Sequence, residues 1–408
     1  MDPKHASPVA DLLRPIAHAA EIIAGKEPPS ELGVFAPNDD TLVVHLRQPT
    51  PYFLQILTHT ATFPIYSEQA AGAHNEQLWV SNGPYVLTNW VPGSSIELRR
   101  NSQYWGREAV RIEEVRYLPI ADENSELNQY RAGQLEVTQS VPASALPLVR
   151  KQYPNELLVA PFLGTAYYGI NLHSGKYPLK LRQALAMAID RKVLENTILV
   201  FGQSPAYGFV PPGTWNYSPQ SWQWKSISDP ERIAQARALY TSAGYSPAKP
   251  LHLRLLFNEN PAIKRLAIAI ASMWKETLGI ETELTDEEYR VFLDSRKDVS
   301  RWDIVRLGWS ADYNDAGNFL EIFRRGSPNN DAGYANANYD SLLDSAATSA
   351  DPSYRRHFLE HAENLMLSEY PVIPIYYLSS KRLIKPYVKG AQNNPLNKLY
   401  SKHLSIEP

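Results

Sequence analysis

The chain of 408 residues contains no cysteine and only 4 methionines. Without cysteine there is no disulfide framework, no thiol nucleophile and no thiolate-bound metal. The absence suits an oxidising compartment as well as a reducing one, so it does not localise the protein. An excess of charge of either sign is also lacking: 40 Lys and Arg against 43 Asp and Glu give a formal net charge of −3. That balance leaves no basic footprint for nucleic acid or an anionic membrane. No stretch approaches the ~20 apolar residues of a membrane span. Met1-Asp2-Pro3-Lys4-His5 is not followed by an apolar segment, so it does not read as a secretory leader. A G-x-S-x-G elbow, an H-E-x-x-H pair, a Walker A loop and a Rossmann glycine fingerprint are all missing, which weighs against the common enzyme classes. The length suffices for two or more domains with sizeable cores.

What is abundant is tyrosine and tryptophan, 24 and 9 against 11 phenylalanines. Half-buried strand positions account for most of them. Those in polar loops, such as Trp309 and Tyr313, suit a ligand surface, because each joins apolar area to a polar tip. These two lie in the most informative segment, Asp303 to Leu320. It opens like a buried strand with Ile304, Val305 and Leu307, then breaks at Gly308. Arg306 and Asp312 flank the break, six residues apart, at most about 20 Å when extended. A cation and an anion so placed can hold the two ends of a zwitterion; a structural Arg–Asp pair is the plainer alternative.

Periodicity outlines the elements. Residues 10–25 read as one amphipathic helix ending near Gly25. A turn at Asn38-Asp39-Asp40 leads into the alternating strand 41–46. Strands at 85–87 and 96–98 flank a Pro92-Gly93 turn, a hairpin signal. A strand at 115–118, a helix from Glu123 to Ala132 stopped by Gly133, a strand at 135–137 and a helix at 142–151 follow. Beyond Ala166 come a strand at 167–171, a helix at 179–190, then strands and helices alternating from 229 to 296. That alternation predicts a mostly parallel sheet. Helices at 338–347 and 352–368 precede a strand at 372–378. His357 and His361 would share a solvated helix face. Asp122-Glu123 and Asp286-Glu287-Glu288 sit where helix dipoles favour acids.

Gly308-Trp309-Ser310-Ala311-Asp312-Tyr313-Asn314 resembles the ligand segment of the periplasmic oligopeptide-binding proteins, the receptors of peptide ABC importers. Further motifs resemble the same family in the same order. They are Asn82-Gly83-Pro84-Tyr85 through Trp90 to Asn101-Ser102-Gln103-Tyr104-Trp105, Leu181-Arg182-Gln183-Ala184-Leu185 to Arg191, Pro205-Ala206-Tyr207-Gly208, and Val372-Ile373-Pro374-Ile375-Tyr376-Tyr377.

The resemblance implies an α/β, two-lobed periplasmic binding protein type II fold with a hinge, crossed near 164–166 and 378–380. Residues 1–64 would be a remnant of an accessory domain, 65–165 lobe I, 166–378 lobe II, and 379–408 a return to lobe I. The family's signal peptide, first strands and most of its accessory domain correspond to sequence upstream of Met1, so part of one lobe is expected to be missing. In the family, the position of Asp312 binds a peptide α-ammonium and that of Arg306 a carboxylate. Trp309, Tyr167, Arg296, Tyr289, Gly308 and Tyr313 complete the implied ligand site. Contacts for longer peptides correspond to the apolar Leu199 and Ile263, an acidic one to Gly169, and two paired cysteines to Gly164 and Ser310. The expected function is therefore binding of di- or tripeptide-like ligands, a murein tripeptide among them. The expected setting is a monomer in the periplasm that delivers to an ABC permease, without cofactor, metal, catalysis or nucleic acid. The alternatives are a shortened paralogue that serves as an interaction or signalling protein or a remnant, and a hydrolase based on Asp312 that lacks a partner nucleophile.

Overall fold

In a computed structural model the described residues are 7, 9–66, 80–199, 202–246 and 248–407. Their strands are β1 (Val34–Asn38), β2 (Thr41–Val44), β3 (Tyr85–Val91), β4 (Ser95–Arg100), β5 (Glu114–Tyr117), β6 (Leu157–Ile170), β7 (Ser204–Pro205), β8 (His252–Asn258), β9 (Glu281–Glu287), β10 (Ile304–Ser310), β11 (Val372–Leu383), β12 (Val388–Lys389) and β13 (Ser405–Ile406). The chain falls into two compact units. One comprises 1–63, 163–198 and 204–377; the other comprises 64–162, 199–203 and 378–408. Residues 1–63 thus group with the larger unit. The chain passes from unit to unit within β6 and again within β11.

The larger unit is built on a six-stranded sheet in the order β7-β11-β6-β10-β8-β9. A parallel β8–helix–β9 unit forms one side, with Leu255 opposite Leu284. Its helix, Pro261–Leu278, has a legible cause at each end. Asn260 accepts from the amides of Ala262 and Ile263, Pro261 opens the first turn, and Gly279 closes it at φ 75°. Leu266, Ala267, Ile270, Trp274 and Leu278 recur on one face and are buried. The Trp274 indole N–H donates to the Leu185 carbonyl at 3.0 Å, so this large ring is buried without an orphaned donor.

The sheet is mixed rather than mostly parallel, because β10 runs antiparallel to β6 and β11 antiparallel to β7. Local alternation specifies strands but not their directions, and two long connections returned against the expected sense. The helix expected at 10–25 is also two pieces, a 3-10 turn at Ala10–Leu13 and a helix at Ala19–Ile23. Pro15 cannot donate within a helix, and His18 adopts a left-handed φ of 64°. Val137 makes only an isolated bridge to Ile384 in place of a strand at 135–137.

The smaller unit contains the antiparallel sheet β3-β4-β5, and Trp90 lies opposite Ile96 in the hairpin that Pro92-Gly93 closes. Its core gathers Leu127, Tyr130, Val141, Val149 and Leu383. Leu127 and Tyr130 lie on the helix Glu123–Arg131, whose first turn is capped by Asp122 through the Ser125 amide.

Candidate functional site

β10 and the loop behind it position the charged residues that the sequence singles out. Strand alternation sends Arg306 and Gly308 to one face of the sheet and Leu307 and Trp309 to the other. The register sets Arg306 beside Tyr168 and Ser310 beside Gly164. Gly164 and Ser310, the positions matched to paired cysteines, are therefore direct cross-strand neighbours.

Arg306 is under-used. Its Nη1 donates to Asn258 Oδ1 at 3.4 Å, and its buried Nε has no hydrogen-bond partner. No carboxylate pairs with it among the described residues. The fully buried Tyr168 hydroxyl is likewise unpartnered. A Cβ on Gly308 would lie 3.9 Å from Arg306 Nη2, so glycine leaves the guanidinium uncovered on that side.

Asp312 is held at its back and open at its front. Asn318 accepts from the Asp312 amide at 3.1 Å and from the Trp309 indole N–H at 3.0 Å, and its Nδ2 donates to Asp312 Oδ2 at 3.4 Å. One buried amide thereby fixes both the aromatic ring and the carboxylate. The Asp312 side chain remains 41% exposed, and its nearest cationic or imidazole group is His59, whose Nε2 lies 3.9 Å from Oδ1.

The loop behind Asp312 rests on a buried ion pair. Asp315 meets Arg355 at 2.6 Å, with both side chains almost fully buried. Asp315 also accepts from the Gly317 amide at 2.7 Å. A Cβ on Gly317 would sit 2.8 Å from Asp315 Oδ1 and 2.9 Å from Arg355 Nη2, so any larger residue would have to displace this ion pair. Arg355 lies over the Tyr52 ring at 4.5 Å, and Tyr52 stacks on Tyr313 with centroids 5.1 Å apart. Burial pushes both tyrosine hydroxyls well above their ordinary pKa, so both rings stay neutral.

A cavity of about 850 Å³ within the larger unit opens onto this loop. Trp309, Asp312, Asn318, His59, Tyr52 and Glu321 are among its walls. Of the residues expected in the site, Trp309, Asp312 and Tyr313 line it. Arg306 and Gly308 lie just before them on β10. Tyr167 packs in the core against Phe209 and Phe323. Arg296 sits 3.7 Å from Asp331, which Lys297 also pairs, and Tyr289 is exposed on a helix that starts after β9. Asn318 and His59 were not foreseen. Asn318 lies inside the telling segment but is uncharged, and His59 is remote in sequence with no motif to mark it.

The bacterial extracellular solute-binding proteins, family 5 middle region, match residues 1–331 of this chain. The chain is 37% identical to the periplasmic oligopeptide-binding protein of Salmonella typhimurium, over 99% of its own length and 76% of the relative's. It superposes on the murein tripeptide binding protein of Escherichia coli with a TM-score of 0.90 at 34% identity, covering 99% of this chain and 81% of that one. A protein described as a probable deoxycholate-binding periplasmic protein of Escherichia coli is 35% identical, over 100% of this chain and 77% of the relative. The chain belongs to the family 5 bacterial extracellular solute-binding proteins, a binding rather than a catalytic class. Relatives of near-equal identity carry different ligands in their names, so the ligand class must be argued from the site.

Proposed function

We propose that this protein captures short peptides by their termini, as a monomer in the periplasm, and delivers them to the permease of an ABC importer. The observation that carries the reading is an unmatched pair of charges among the described residues: Asp312 open on a cavity without a salt-bridged Lys or Arg, and Arg306 without a carboxylate. Asp312 would take the α-ammonium beside Trp309, and Arg306, earlier on β10, the α-carboxylate. The apolar Leu199 and Ile263 supply no second carboxylate site, which supports di- and tripeptides over longer ligands. The murein tripeptide named for the Escherichia coli relative is of that size.

A second reading has one observation in its favour. Arg306 alone suits a ligand with a carboxylate and no amine, such as the deoxycholate named for another relative. Asp312 weighs against it, because an anion next to an anionic ligand is unfavourable without a compensating cation. Calorimetry with dialanine, trialanine, pentaalanine and deoxycholate separates the readings. We expect trialanine to bind tightest and deoxycholate not at all. Tight pentaalanine with no trialanine binding would sink the length preference; deoxycholate binding alone would sink the peptide reading.

A further inference from the structure

The ammonium site contains a residue that no sequence signal marks. We propose that His59 is a positioning residue for Asp312: its Nε2–H holds Oδ1 while Asn318 holds Oδ2, so the carboxylate meets the ligand's ammonium in one orientation. The inference rests on the peptide reading of the site.

Geometry fixes which nitrogen carries the proton. His59 caps the turn Thr60–Thr62, and its Nδ1 accepts from the Ala61 amide at 3.1 Å. An accepting Nδ1 is unprotonated, so the neutral ring bears its proton on Nε2. That nitrogen is the one facing Asp312, 3.9 Å from Oδ1. The separation is longer than a hydrogen bond of about 2.7–3.2 Å, so the proposed contact requires the two groups to draw together.

The two side chains are delivered by segments that are docked independently of them. Tyr52 stacks on Tyr313 under Arg355, and Ile56 is buried, which anchors the chain just before His59. Thr62 Oγ1 donates to the carbonyls of Leu57 and His59 and pins the turn itself. The Asp312 side is pinned by Asn318. A neutral donor is chemically suited to this place. A lysine or arginine at the same distance would pair with Asp312 and compete with the ligand's cation, whereas an N–H orients the carboxylate and leaves its charge unspent.

The test uses the whole chain with two variants. His59→Asn keeps a capping oxygen for the Ala61 amide but is too short to reach Asp312; His59→Ala removes both. Affinity is read by calorimetry for trialanine and N-acetyl-trialanine. His59→Asn is expected to weaken trialanine by about 3- to 10-fold, the scale of one hydrogen bond, and to leave the acetylated ligand unchanged. With Asp312→Asn already present, His59→Asn is expected to add no further loss. In the unliganded protein, imidazole ¹⁵N spectra should show a protonated Nε2 at His59 whose resonance moves on Asp312→Asn. Equal losses for both ligands, an unchanged affinity, or a protonated Nδ1 with a bare Nε2 would each overturn the role of His59. A wild-type protein that binds neither ligand overturns the peptide reading and this proposal together, which sets that failure apart from the others.

Discussion

Asp315 and Arg355 meet at 2.6 Å with almost no solvent at either side chain, and the loop that presents Asp312 is built on that pair. Arg355 is shared between the carboxylate, the Ala346 carbonyl at 2.9 Å and the face of Tyr52. Removing one partner leaves the other charge buried and alone, which costs about 3–5 kcal/mol. Arg355→Met should therefore lower unfolding stability by that amount in urea titrations. Adding Asp315→Asn should recover part of the loss, because the orphaned carboxylate is gone. A double variant that loses the sum of the two single losses would contradict this account.

Asp312→Asn should behave in the opposite way. The side chain is 41% exposed and, among the described residues, makes no ion pair with Lys or Arg, so the fold should lose no more than about 0.5 kcal/mol. Binding of trialanine should fall by about 1.5–3 kcal/mol, the scale of a hydrogen bond to a charged group. Calorimetry paired with thermal unfolding reads both quantities on one sample.

Gly308 lacks a left-handed φ, and a Cβ there would meet Thr165 O at 3.8 Å and Arg306 Nη2 at 3.9 Å, ordinary contact distances, so the backbone tolerates a side chain. Gly308→Leu should cover the guanidinium, weaken trialanine, and leave trialanine amide unaffected. Equal weakening of both peptides would point to general blocking of the site and away from the carboxylate contact.

Glu363 is fully buried and accepts from the amides of Phe209 and Val210 at 2.6 and 2.9 Å and from the Tyr217 hydroxyl. Burial raises its pKa from 4.5 to about 7, against those hydrogen bonds, which lower it. The folded state thus holds this proton more tightly than the unfolded chain. Its contribution to stability is full below about pH 4.5 and declines as pH rises toward 7, by up to about 3 kcal/mol. Glu363→Gln should flatten that decline in urea midpoints measured from pH 4.5 to 7. An unchanged slope would assign the pH dependence elsewhere.

How much of this was legible depends on how local the cause is. The helix Pro261–Leu278 could be read from Asn260, Pro261 and Gly279, because caps act within one turn. The hairpin of β3 and β4 could be read from Pro92-Gly93 for the same reason. The sheet's mixed sense was not legible, since strand direction is set by which distant segments pair. Tyr167 shows the same limit inside the site. Alternation places it on one face of β6, but only packing shows that this face is closed by Phe209 and Phe323. The expected roles of Arg296 and Tyr289 stand as proposals, with Arg296 beside Asp331 and Tyr289 exposed.

Residue order was enough for the family, the ends of the helix Pro261–Leu278, and the presence of a cation and an anion on one strand and loop. Those follow from residue order and short-range stereochemistry. It took the packed fold to leave Arg306 without a carboxylate among the described residues and to set Asp312 on a cavity with Asn318 and His59 near its two oxygens. The reason is physical. Whether a charge is spent or available depends on desolvation and on partners brought from far along the chain, and the Tyr52–Tyr313 stack that brings His59 to Asp312 exists only in the packed fold.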